Sequence, residues 1–422
     1  MATIWYISKY VTPPGVAKVG ARGFLLLREF VQMGHRALLI TSDSNHLANV
    51  PKLTSPRKEE AIDGVDVHWL RTRKYTGARS LGRILSWFDF EWQIRRMPLE
   101  GLPKPDVVVV SSLSPLTIFN GLHLRRRFGC KLVFEIRDIW PLVLTTAGGI
   151  SPRHPAVMFL AWVERLGYRR ADLIVGTMPN LREHVAEVSS SVRPVACIPQ
   201  GLDPGLLAPP EPLSDDYMEA HFPENKFVVC HAGSIGADNA LETLLACARA
   251  MMDRQDIHFL LVGEGYLKDR FVAEAADLDN VSFAPGVPKK AVQSILQKVD
   301  LVYFAVHKSP MMRFGQSLNK VIDYMLSGKP VLASFTGFPS MINEAECGTY
   351  VPAEDVEALR AEILRYAALP AEDRAKLGAR GRDWLMENRQ YKDLARDYLH
   401  HMGLDGQGAA YETPRRKGSC DF

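Results

Sequence analysis

A chain of 422 residues, 47% hydrophobic and 23% charged, is globular in composition and longer than one ordinary core supports, which predicts two domains. A net charge of +3 is too small to imply nucleic-acid binding, and no apolar run approaches the roughly 18 residues of a membrane span. Six cysteines without CxxC spacing, and no basic leader ahead of the first apolar run, predict reduced thiols, no zinc site and a cytoplasmic protein.

Strand and helix patterns alternate from the start. Strands are predicted at 4–8, 37–41, 65–70, 107–111, 131–135 and 173–176, with helices over 20–33 and 115–128. Continuous apolar, β-branched runs separated by helices predict a parallel sheet covered on both faces. A second series follows, with strands at 226–231, 258–262, 281–283, 301–305 and 331–333 and a helix over 239–252. Each series opens alike, with a strand, a glycine-containing loop (13–20; Gly233-Ser-Ile-Gly236) and a helix. The boundary falls in the polar, proline-rich stretch 199–223. The simplest architecture is two Rossmann-like α/β domains, 1–200 and 201–402, facing one another across a cleft, with ligands at the carboxyl ends of the strands and the last helix packing back on the first domain. Residues 403–422 lack apolar periodicity and read as a disordered tail.

Positive charge is clustered in the first third of the chain. The stretch 79–96 interleaves arginines with Trp87, Phe88, Phe90 and Trp92, and 153–170 is apolar along one side with basic ends. Such pieces suit a membrane surface rich in anionic headgroups; core-packed helices with solvated arginines fit the same residues.

The chemically richest segment is Gly315-Gln-Ser-Leu-Asn-Lys-Val-Ile-Asp-Tyr-Met-Leu-Ser-Gly-Lys-Pro-Val331. It reads as a loop feeding a helix that Ser317 or Asn319 can cap and Gly328 can end. The spacing of Asn319, Lys320 and Asp323 lets an amide, a cation and a carboxylate face one ligand. A helix start with Lys320 favours phosphate, and Asp323 can accept from vicinal hydroxyls, so phosphate plus ribose is the implied ligand. An ordinary amphipathic helix with a solvated Lys and Asp accounts for the residues equally well.

Taken together the segments resemble retaining family 4 glycosyltransferases of the GT-B fold. The resemblance rests on their order: Gly34-His35, Ile198-Pro-Gln-Gly-Leu-Asp203, Val262-Gly-Glu-Gly265, Val281-Ser-Phe-Ala-Pro-Gly286, Asp300-Leu-Val302 and the Asp323 helix with Ser327-Gly-Lys-Pro330. Glu135-Ile-Arg-Asp-Ile-Trp-Pro141 with Ser317-Leu-Asn-Lys320 looks most like bacterial members that build surface polysaccharides, including N-acetyl-fucosamine transferases. Three departures stand out. The family's paired glutamates fall on Gly315 and Asp323, its Arg and Lys after the first strand of the second domain fall near Ser234 and Asn239, and its first-domain histidine falls on Arg137.

The resemblance implies transfer of a sugar, most simply a UDP-linked amino sugar, to a glycan or lipid-linked acceptor with retention. The second domain would hold the nucleotide: backbone near Gly286 and Val287 for the base, Asp323 for the ribose, and Lys320, Ser317 and Asn319 with the amides around Gly233, Ser234 and Gly236 for the diphosphate. The first domain would hold the acceptor, where Arg137 and Asp138 pair or Asp138 accepts the hydroxyl proton; Lys18 and Arg22 can reach phosphate or stay solvated. Asp277-Leu-Asp279 has DxD spacing but precedes a strand, so it reads as a loop, and no metal or other cofactor is expected. A nucleotide-sugar epimerase of the same fold, or a membrane scaffold that has lost its site, are the alternatives.

Overall fold

The computed structural model describes residues 1–17, 21–46, 48–77, 80–146, 148–190 and 193–405. Lys18, Gly20, Arg79 and the tail beyond residue 405 lie outside them. The chain divides into two compact units: Met1–Gly201 together with the terminal helix, and Leu202–Gln390.

The first unit carries β1 (Thr3–Ile7), β2 (Arg36–Ser42), β3 (Arg57–Ile62), β4 (Val65–Leu70), β5 (Val107–Ser111), β6 (Lys131–Ile136), β7 (Leu173–Gly176) and β8 (Val195–Cys197) in the order β3-β4-β2-β1-β5-β6-β7-β8. All pairings are parallel except β3 with β4. Its helices are α1 (Arg22–Gln32), α2 (Leu81–Arg96), α3 (Thr117–Phe128), α4 (Leu142–Thr146), α5 (Pro155–Arg170) and α6 (Leu181–Ser189). The interior strands are the predicted ones, because a strand buried on both faces must be continuously apolar. Strand β3, Arg57-Lys-Glu-Glu-Ala-Ile62, escapes that pattern: it is a charged edge, half solvated and paired on one side only.

In the second unit α7 (Asp215–His221) precedes β9 (Phe227–Ala232), which is followed by α8 (Leu241–Arg249), β10 (Ile257–Val262), α9 (Lys268–Glu274), β11 (Val281–Ala284), α10 (Val292–Leu296), β12 (Leu301–Ala305), α11 (Asn319–Leu326), β13 (Val331–Ser334), β14 (Gly348–Val351), α12 (Val356–Ala368) and α13 (Ala371–Asn388). The sheet is wholly parallel in the order β11-β10-β9-β12-β13-β14. That is the dinucleotide-fold order, whose direction of winding reverses between β9 and β12. Helix α14 (Tyr391–Met402) returns to the first unit. It packs on α1, with the rings of Phe30 and Tyr398 5.8 Å apart.

Arg22, open to phosphate in the sequence reading, is instead sealed in this core. Its guanidinium pairs with Glu135 and donates to the carbonyls of Ile198 (2.6 Å) and Pro199 (3.0 Å). The Tyr6 hydroxyl also donates to Glu135. Burial pushes the Glu135 carboxyl up, but Arg22 and Arg137 outweigh it and hold the group below its usual range. A depressed carboxyl contributes stability that is complete above the unfolded carboxylate range and is lost as pH falls through the lower folded value. Glu135→Gln therefore strands a buried guanidinium and is expected to cost about 3–5 kcal/mol, measured by urea unfolding at neutral pH; an unchanged midpoint would show that the pair carries no stability.

Candidate functional site

Where the second sheet reverses, two glycine loops interlock. Gly233 N–H donates to Val262 O (2.9 Å), Ile235 N–H to Glu264 O (2.9 Å), and Leu267 N–H back to Ile235 O (3.2 Å). A Cβ on Gly263 would stand 1.8 Å from Gly233 O, and one on Gly265 2.0 Å from Ile235 O. The Val262-Gly-Glu-Gly265 motif is thus the seat of the 233–236 loop. Two of the amides assigned to phosphate, those of Gly233 and Ile235, are consequently spent within the protein. Ser234 and Gly236 donate to no acceptor among the described residues, and Ser234 is exposed.

Helix α11 is bolted to the end of β9. The Tyr324 hydroxyl accepts from Ala232 N–H and donates to Ala232 O, each at 3.0 Å. One turn earlier, Lys320 Nζ reaches Asn239 Oδ1, whose amide nitrogen donates to Ser234 O at 2.6 Å. The space a Cβ of Gly233 would fill lies 3.9 Å from Lys320 Nζ and 3.6 Å from His231 Nε2, so the ammonium sits directly against the loop. Burial lowers Lys320 to about 8, opposed by Asp238. His231 is fully buried. Burial and then the Lys320 charge hold it neutral, at about 3. Gly233, Ser234, Gly236 and Lys320 are therefore brought together, with Asn239 and His231 as members that sequence reasoning did not assign.

The other half of the helix departs from expectation. Neither Ser317 nor Asn319 is the cap: Leu318 holds that position without a side-chain bond, and Asn319, the first helical residue, is exposed. Asp323 does not stand free beside Lys320. It is paired with Lys289, which follows the Gly286-Val287-Pro288 turn. Burial raises its carboxyl, and Lys289 opposes the rise. Gly286 lies nearby in sequence, but its N–H is taken by Glu264 Oε1 at 3.1 Å, which leaves its carbonyl and the backbone of Val287 to read a base. Gly315, aligned with the missing glutamate, has φ 79° and ψ 178°, a region that only glycine enters without strain.

In the first unit Arg137 and Asp138 follow β6. They form no ion pair; Ser112 Oγ instead accepts from both amides, at 3.0 and 3.3 Å, and donates to Asp138 O. The Asp138 residue is exposed, yet the protein packed around its carboxyl raises it, with Arg137 and Arg83 opposing. The sequence reading also passed over Lys9, fully buried at the end of β1, where it donates to Ser44 O (2.6 Å) and Ser42 Oγ (3.2 Å) beneath the Tyr10 and Tyr75 rings. Burial brings it to about 7. A lysine next to "Ile-Ser-Lys-Tyr" carries no signal that its head is enclosed. Asp277 pairs with Arg249 in the turn ahead of β11, and among the described residues no three His, Cys, Asp or Glu side chains converge on a metal position.

The chain matches two family models: "Glycosyl transferase 4-like domain" over residues 21–201 and "Glycosyl transferases group 1" over 226–368. No curated protein matches it by sequence. Among solved structures it is similar to sucrose-phosphate synthase from Thermosynechococcus elongatus, at 18% identity, TM-score 0.70, covering 95% of this chain and 98% of that one. It is also similar to HepE of Anabaena in complex with UDP and glucose (14%, TM-score 0.63, 96% and 100%), and to WaaG, a glycosyltransferase involved in lipopolysaccharide biosynthesis (13%, TM-score 0.64, 96% and 100%). The shared fold is two parallel-sheet, Rossmann-like domains.

Because Lys320 is lowered to about 8, the unfolded chain binds its proton more tightly than the folded one. Between that value and the ordinary lysine range, stability should rise with pH, a slope that Lys320→Met removes; equal slopes in wild type and variant would contradict the burial of this ammonium. Pyrophosphate affinity should run the opposite way and weaken above about pH 8.

Proposed function

Since this chain is a glycosyltransferase of the GT-B fold, we propose that it moves a sugar from a UDP-linked donor, an amino sugar, to a hydroxyl of a glycan or lipid-linked acceptor, with retention at the anomeric carbon. The observation that carries the donor assignment is Lys320 Nζ held against Gly233 by Asn239 at the carboxyl end of β9. A loop with two undonated amides and a half-buried ammonium matches a diphosphate. Diphosphate is also the leaving group, so charge placed there counts most as the glycosidic bond breaks. HepE, with UDP and glucose bound, has a similar fold.

Asp323 serves the ribose hydroxyls in this reading, with Lys289 released from the carboxylate toward the phosphates as the hydroxyls take its place. Arg137 and Asp138 face the acceptor. A carboxyl raised by desolvation is suited to taking the hydroxyl proton. The work is that of a cytoplasmic enzyme at the inner face of a membrane, in cell-surface polysaccharide assembly of the N-acetyl-fucosamine transferase kind, and WaaG's role in lipopolysaccharide biosynthesis supports that setting. Nucleic acid has no place in it. Catalysis is metal-independent, because lysines and amides carry the neutralising charge.

One specific observation favours an inactive scaffold instead: glycine backbone replaces the first glutamate and Lys289 occupies the second acidic group. UDP binding separates the two readings. Lys320→Ala should weaken UDP by about 1.5–3 kcal/mol in calorimetric titration, and unchanged affinity would remove Lys320 from the site. Turnover should survive excess chelator; activity lost and then restored by manganese or magnesium would transfer the diphosphate to a carboxylate-bound metal.

A further inference from the structure

Helices α2, α3 and α5 lie side by side on the first unit. Glu91 of α2 accepts from Thr117 Oγ1 (2.6 Å) and Asn120 Nδ2 (2.8 Å) of α3, and Phe119 of α3 stacks at 5.9 Å on Trp162 of α5. Each outer helix is apolar on both sides. On α2, Trp87, Phe90 and Ile94 face the core, while Leu81, Ile84, Leu85, Phe88 and Trp92 form an exposed stripe at helical spacing. On α5, Val157, Leu160 and Val163 face inward while Met158, Phe159 and Trp162 face solvent. Trp92 is 57%, Met158 60% and Trp162 51% exposed. Most of the large exposed apolar side chains among the described residues lie on these three helices, so the face is a patch rather than scatter.

The same face ends in uncompensated cations. Both α2 and α5 finish in a pair of arginines, Arg95-Arg96 and Arg169-Arg170. An open recess between the three helices is lined by Arg95, Phe119, His123, Arg126, Leu166 and Arg170, with no carboxylate. Arg125 is spent on Asp172 and the Arg170 carbonyl, but Arg95, Arg126 and Arg170 have no ion pair among the described residues. Burial and then the charges of Arg95, Arg127 and Arg126 lower His123 below its ordinary range, as expected of an imidazole among these arginines.

We propose that the α2–α3–α5 face docks on an anionic phospholipid bilayer, with the α2 and α5 aromatic stripes entering the headgroup boundary and the Arg95–Arg126–Arg170 recess seating a lipid phosphate. Apolar stripe and cationic rim are complementary to acyl boundary and anionic headgroup, and to no single soluble ligand at once. The inference extends the lipid-linked acceptor reading by naming the surface and the lipid class, and it does not depend on the donor assignment.

The test is co-sedimentation of the full chain with vesicles of phosphatidylglycerol and phosphatidylethanolamine against pure phosphatidylcholine, at low and high salt. Wild type should bind the anionic vesicles and release them at high salt. The double variant W92E/W162E should lose binding, and R95E/R126E should weaken it about tenfold, both with unaltered UDP affinity. No sedimentation of wild type at low salt, or variants that bind as wild type does, overturns the proposal. So does Arg95-dependent binding of glycerol phosphate without vesicle binding, which would make the recess a free-anion site. An oligomer of the wild type that W92E/W162E dissociates would assign the face to a second copy and overturn it as well. Vesicle binding by a protein that fails to bind UDP supports the docking face while removing the donor reading.

Discussion

The candidate site hangs on one side-chain hydroxyl. At the carboxyl end of a central strand the sheet ladder stops, and the last backbone groups need partners from elsewhere. Tyr324 supplies them at Ala232, accepting from its N–H and donating to its carbonyl. That reciprocal bond sets both the height and the rotation of α11 against β9. With Tyr324 so placed, Lys320 one turn earlier comes beneath Gly233, and Asp323 faces the turn that carries Lys289. Lys320 and Asp323, both on α11, therefore inherit their positions from a contact between an aromatic core residue and the strand's final peptide.

The two units solve the same problem with different chemistry. Each gathers titratable groups around the carboxyl end of its first strand: Lys9 just past β1, and His231 within β9 with Lys320 of α11 close by. Around Lys9 the hydroxyls, carbonyls and aromatic rings close completely, so the ammonium is structural as it stands. Around Lys320 the enclosure is partial, because Gly233 withholds a side chain from the space beside it. The glycine loop can stay that open only because a second glycine loop supports it from below, at separations that no Cβ would permit.

The departures from the family pattern have a shared physical cause. Gly315 holds a backbone conformation that an acidic residue would enter only with strain, and the remaining carboxylate, buried and raised by desolvation, is stabilised by Lys289. Lys289 is a cation paired with Asp323, whereas the 233–239 loop itself carries neither Arg nor Lys. Asn239 takes the place of a cation there by holding one, Lys320, in position.

The interior of both sheets was legible in the chain, since strands covered on both faces must be apolar throughout; 65–70, 107–111, 173–176 and 301–305 are strands to the residue. The loop–helix order that brings Gly233 against Lys320 was legible too, because glycine loops and helix starts leave local signatures. What the sequence could not determine is which charges are spent. Arg22 looks like a loop cation and is sealed against Glu135; Asp323 looks free and belongs to Lys289; Gly233 and Ile235 look like donors and serve the neighbouring loop. Those outcomes depend on partners 29 to 113 residues away along the chain, and a side chain's availability is a property of what packs against it. Local pattern decided where strands, loops and helices form, whereas desolvation and pairing, which only the folded chain creates, decided which of their groups remain to meet a ligand.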